Sequence, residues 1–152
     1  MVYRSGTLLP GILLGLMAIA SAALVAGLLA IFGVLGTHPD AGRPIDWVDA
    51  LTLLVIAPVT ETALMWLGFL IASRLAKAPT NWIALAVLMA GSHSLVMFNW
   101  GVVVLVPFLI YARVFAETTL SMKRRFNIVL VAHVTNNLVA GVLEVVVSGL
   151  GA

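Results

Sequence analysis

Between Leu8 and Leu35 the chain carries no charged side chain, and four further apolar runs follow, with most of the charges collected in the short breaks between runs. Few folds accommodate such a pattern. About 20 apolar residues in a helix span the roughly 30 Å hydrocarbon layer of a bilayer, at about 1.5 Å per residue. Within that layer every backbone N–H and C=O has to find a partner inside the protein, which a helix provides and an isolated strand does not. The sequence therefore predicts an all-α, polytopic membrane helical bundle, a single integral membrane domain over residues 1–152. Composition agrees: 62% of the residues are apolar and 9% charged, whereas a soluble domain carries about a quarter charged residues.

The first run, 8–35, is too long for the core of a signal peptide and continues past Ala20-Ser21-Ala22, so it is expected to stay as a membrane helix. A second run, Trp47 to Ala72, holds Glu61 near its middle. Trp82 to Phe98 and Gly101 to Phe115, parted at Asn99 and with Pro107 inside the latter, are expected as a tight helical hairpin. The fifth, Ile128 to Leu150, carries His133, Asn136, Asn137 and Glu144. Placing alternate breaks on opposite faces puts Arg4, Arg74, Lys77, Arg113, Lys123, Arg124 and Arg125 on one side. Only Arg43, beside Asp40, Asp46 and Asp49, falls on the other. Cytoplasmic loops are the ones rich in Lys and Arg, so about five transmembrane helices with a cytoplasmic N-terminus are expected.

Several function classes drop out. The basic residues mark one membrane face and do not form a patch interleaved with exposed aromatics, so membrane lipids are expected partners and nucleic acid is not. Without cysteine there is no disulfide, thiolate metal site or thiol nucleophile. Lys123-Arg124-Arg125 suits anionic headgroups, although orientation alone accounts for it. Trp47, Trp82 and Trp100 fall at the ends of runs, as interface anchors do, and Gly11-x-x-x-Gly15 allows close helix approach. Glu144 is expected as an interface carboxylate, with a substitute catalytic acid as its functional alternative.

An ionisable side chain at membrane depth is costly to hold and by default marks a functional site. Glu61 is accordingly the most informative residue. His93, alone, would more often be a packed imidazole. His133 and Asn137 are four residues apart and project from one helical face, while Asn136, turned by about 100°, is expected as an interhelical hydrogen-bond partner. One carboxylate, two imidazoles and a carboxamide form a workable hydrolytic set: the carboxylate takes a proton from water, an imidazole orients or shares it, and the remaining groups donate to the developing oxyanion. Glu61, His93 and His133 also match the ligand types of a catalytic zinc site, but the close ligand spacings of a soluble zinc protease are missing. Metal-free hydrolysis, with no cofactor, is the preferred expectation.

These residues resemble the CPBP family, the CAAX-protease and bacteriocin-processing (Abi) membrane proteins, type II CAAX prenyl endopeptidase-like. The resemblance covers roughly 47–141, leaving the first helix as an addition. Its first motif, Glu-Glu-x-x-x-Arg after an Ala-Pro-like entry, aligns with Ala57-Pro58-Val59-Thr60 and Glu61-Thr62-Ala63-Leu64-Met65-Trp66, where only the first Glu survives. The second, Phe-x-x-x-His, aligns with Met89 to His93. The third, His-x-x-x-Asn, aligns with His133 to Asn137 without departure, and Thr118-Thr119-Leu120-Ser121 looks like a diverged form of the family's small-polar turn. The resemblance implies that Glu61 and His93 activate water and that His133 and Asn137 stabilise the oxyanion. Thr62 and Trp66 stand where a site-orienting Glu and a substrate-binding or ion-pairing Arg are expected. Losing an acid and a base together leaves no unpaired charge, but it loosens support for the site.

The expectation is a glutamic-type intramembrane endopeptidase of a prokaryotic cytoplasmic membrane, acting on a membrane-associated or lipidated peptide substrate. The alternative is a catalytically inactive member of the same fold, serving as an accessory subunit of a larger membrane complex or as an immunity or interaction factor. A proton-relay transporter fits less well, because the internal repeat such folds often show is missing.

Overall fold

A computed structural model describes residues 6–35 and 46–150, the side chains of 147–150 excepted. Arg4, Asp40 and Arg43 of the charge count therefore lie outside the described residues. Five helices make up the described chain: α1 (Leu8–Ile31), α2 (Trp47–Leu75), α3 (Thr80–His93), α4 (Trp100–Phe115) and α5 (Met122–Leu150). The protein is all-helical, and α1, α2 and α5 are long and apolar enough to cross a membrane. Their outward faces are apolar too: Leu9, Leu13 and Leu24 on α1 and Leu64, Leu67 and Ile71 on α2 are all exposed. A surface of that kind suits lipid rather than water.

Two helices end earlier than their apolar runs do, each for a local reason. At the end of α1, Gly33 takes φ +65, the Val34 N–H bonds to the Leu29 carbonyl at 2.8 Å and the Gly33 N–H to the Ala30 carbonyl at 3.0 Å. This is a Schellman stop, open to glycine because it has no Cβ. The helix expected over 8–35 therefore closes at Ile31. On α3, the Ser92 hydroxyl donates to the Met89 carbonyl at 2.7 Å and His93 Nδ1 meets the same oxygen at 2.9 Å. Both side chains thus bond back onto the last turn of the helix in local competition with its backbone, and 94–99 form turns with Leu95 and Phe98 exposed. The α3–α4 hairpin is as expected in kind, but α3, at 14 residues, is shorter than the run that suggested it.

Helix α2 contains one wide turn, a π-helical stretch over Thr52–Ile56 in which the Ala57 N–H reaches back five residues to the Thr52 carbonyl. Pro58 explains it. Proline has no N–H to donate, and its ring crowds the carbonyl four residues earlier, so the backbone widens just ahead of it. Beyond that turn α2 packs inward through Pro58, Thr62, Met65 and Phe69.

The core sits where α2, α3, α4 and α5 meet, around Met65, Leu85, Met89, Phe108, Tyr111 and Phe115. Helix α1 closes it from the side, packing on α5 and α4. Its inner edge is a stripe of small residues, Gly11, Gly15, Ala18 and Ala22. A Cβ on Gly11 would lie 2.6 Å from the Val131 side chain, and one on Gly15 would lie 2.5 Å from the Ala132 carbonyl. The Gly11-x-x-x-Gly15 spacing is thus a packing feature, and α1 is an integral wall of the bundle. At one end the Asn99 amide donates to the Val34 carbonyl, tying the α3–α4 turn to the end of α1. At the other, Arg125 caps the end of α4 by donating to the Phe115 and Leu120 carbonyls.

Candidate functional site

Glu61 lies one turn beyond Pro58 on α2, His93 ends α3 and His133 faces inward from α5. These three side chains from three helices converge. Glu61 Oε2 is 3.4 Å from His133 Nε2 and 3.6 Å from His93 Nε2. Both imidazoles therefore address the same carboxylate oxygen. Access is graded: Glu61 and His93 keep 23% of their side-chain surface exposed, and His133 keeps 6%.

The protonation pattern of His93 follows from its other nitrogen. Nδ1 faces the Met89 carbonyl, which can only accept, so Nδ1 carries a hydrogen and Nε2 of the neutral ring is left as an acceptor toward Glu61. A protonated Glu61 would donate to it, and a deprotonated Glu61 would pair with the imidazolium.

Aromatic side chains of α4 form the back wall. Phe108 and Tyr111, three residues apart, share one helical face. The Phe108 ring is 5.0 Å from that of His93 and 6.3 Å, edge on, from that of His133; the Tyr111 ring is 5.3 Å from His133. Sequence reasoning missed both residues. Tyr111 had one signal, a phenol within a largely apolar run.

Asn137, expected beside His133 as an oxyanion donor, has a commitment elsewhere. Its amide nitrogen donates to the Leu53 carbonyl at 2.9 Å. Leu53 lies in the wide turn of α2, and the residue five further on is Pro58, which has no N–H to offer its carbonyl. Asn137 supplies the missing donor and keeps one N–H in hand. Asn136 donates to the Asn137 side-chain oxygen at 3.0 Å. Its amide nitrogen thus bonds within α5, not across helices as expected.

Neither Thr62 nor Trp66 brings a charge to the site. Thr62 is fully buried and Trp66 packs edge to face on Phe126 of α5, ring centres 6.4 Å apart. Glu144 is exposed on the distal half of α5. Among the described residues, no group of three or more His, Asp or Glu side chains is arranged to hold a metal ion. Buried polar atoms without a hydrogen bond among the described residues do gather in this region: Thr62 Oγ1, Tyr111 OH and His133 Nδ1. Each such group costs about 1–3 kcal/mol when left unpaired. Alongside the Asn137–Leu53 bond, between the start of α2 and α5, runs an apolar groove of about 260 Å³ lined by Leu53, Leu54, Leu138, Gly141 and Val142.

No protein-family model, curated protein or solved structure matches the chain.

Proposed function

We propose that this protein is a glutamic-type intramembrane endopeptidase of the CPBP kind, hydrolysing a peptide bond in a membrane-associated or lipidated substrate. The observation that carries this is the meeting of Glu61 with His93 and His133 at 3.6 and 3.4 Å, in a chain where each such group is costly to hold at depth. Glu61 acts as general base: it takes a proton from water as the water oxygen attacks the peptide carbonyl, and later returns it to the departing amine. His93 holds the carboxyl and its water in line. The oxyanion falls to the uncommitted N–H of Asn137 and to His133, whose Nε2 faces Glu61 before substrate enters. The apolar groove beside Asn137 offers room for an apolar part of the substrate.

The finer topology belongs to the same proposal. Five crossings place the N-terminus and the α4–α5 loop, with its Lys123-Arg124-Arg125, on the cytoplasmic face of a prokaryotic cytoplasmic membrane. Helices α3 and α4 then cross as a short pair among longer helices.

Purified protein and Glu61→Gln are compared on a panel of internally quenched apolar peptides in phosphatidylcholine vesicles. Turnover that Glu61→Gln abolishes supports the assignment; equal turnover by both removes Glu61 as the base. A second reading, an inactive scaffold serving as an accessory subunit or as an immunity or interaction factor, is favoured by the commitment of Asn137 to Leu53 and by the uncharged Thr62. It predicts that the protein purifies within a larger membrane assembly and that Glu61→Gln leaves that assembly intact.

A further inference from the structure

The oxyanion side of this reaction is short of donors. Asn137 has given one N–H to Leu53, and His133 Nε2 faces Glu61. Helix α4 holds an uncommitted donor next to His133. Tyr111 is 1% exposed, its hydroxyl makes no hydrogen bond among the described residues, and its ring lies 5.3 Å from His133 at 34°. Phenylalanine would fill the same space without burying an O–H, as Phe108 does on the same face, so packing alone does not account for the phenol.

We propose that Tyr111 is a further catalytic residue of the peptidase reaction described above, an assignment that rests on that reading. Its O–H donates a hydrogen bond to the carbonyl oxygen of the scissile peptide as that oxygen gains charge. The step balances without proton transfer from the phenol. The water oxygen bonds to the carbonyl carbon, its proton goes to Glu61, and the carbonyl π pair moves onto the oxygen that Tyr111 holds. On collapse the C=O re-forms, the C–N bond breaks, and the proton on Glu61 passes to the amine nitrogen.

The test compares wild type with Tyr111→Phe on the quenched peptides in phosphatidylcholine vesicles, with thermal unfolding alongside. Removal of one oxyanion donor is expected to lower kcat about 100-fold, with KM and the unfolding midpoint close to wild type. Wild-type turnover with an unchanged kcat in Tyr111→Phe overturns the tyrosine assignment and leaves the peptidase intact. No turnover by wild type on any peptide overturns both. If Tyr111→Phe unfolds, difluorotyrosine, a more acidic phenol, is incorporated in a Tyr3→Phe background, which leaves Tyr111 as the one tyrosine. The alkaline limb of the kcat–pH profile should then move to lower pH, and an unmoved limb overturns the proposal.

Discussion

At the residue scale, proline at 58 and asparagine at 137 are linked although 79 positions separate them. Pro58 leaves the Leu53 carbonyl without a backbone donor, and Asn137 provides one. Asn137→Ala is expected to lower stability by about 0.5–1.5 kcal/mol, the net contribution of one intramolecular hydrogen bond. In a Pro58→Ala background, where residue 58 regains its N–H, the same substitution should cost less; equal costs in both backgrounds, read by unfolding in detergent, would refute the link. Glu61, His93 and His133 were legible in the sequence because carboxylates and imidazoles are rare at membrane depth. Tyr111 and Phe108 were not, since aromatics in an apolar helix ordinarily pack, and the bond from Asn137 to Leu53 could not be inferred without the widened turn.

At the scale of the helix, the stripe on α1 separates glycines that look alike in sequence. Gly15→Leu drives a side chain into the Ala132 carbonyl and Thr135, and overpacking of that kind costs about 1–3 kcal/mol. Gly27→Ala, with open space around its Cβ, should leave the melting temperature unchanged or raise it. The existence of the helices was readable from apolar runs, but two of their ends were not, because Gly33 and the Ser92–His93 pair act locally inside sequence that remains apolar. The turn after α4 has its own electrostatics. The Thr119 backbone N–H and hydroxyl bond to Glu117 at 3.1 and 3.0 Å and hold its carboxyl below the usual carboxylate range, with Arg113 and Arg125 contributing in the same direction. A depressed value means that the contribution of this turn is present above the ordinary carboxylate range and fades as pH falls through the folded-state value. Exchange protection of the Thr119 amide should follow that course, and Glu117→Gln should flatten it.

For the whole molecule, two interhelical ties set which ends lie together: Asn99 to Val34 at one end and, at the other, Arg125 on the Phe115 carbonyl. The proposed orientation of those ends is directly measurable, because the sequence has no cysteine. Lys123→Cys should label with an impermeant thiol reagent only from the cytoplasmic side, and Leu95→Cys, on the exposed α3–α4 turn, only from outside. The reverse pattern would invert the topology. The brevity of α3 also sets a thickness. Fourteen residues rise about 21 Å, against the roughly 30 Å of a hydrocarbon layer, so α3 crossing as proposed would make the molecule fit two different membrane depths on its two sides. A bilayer answers such a mismatch by thinning next to the short side, and His93 sits at the end of that short helix. Under the proposed topology, the distance that water travels to meet the histidine should therefore depend on the acyl chains of the surrounding lipid, with lipid chain length expected to act as a control on this site from outside the protein.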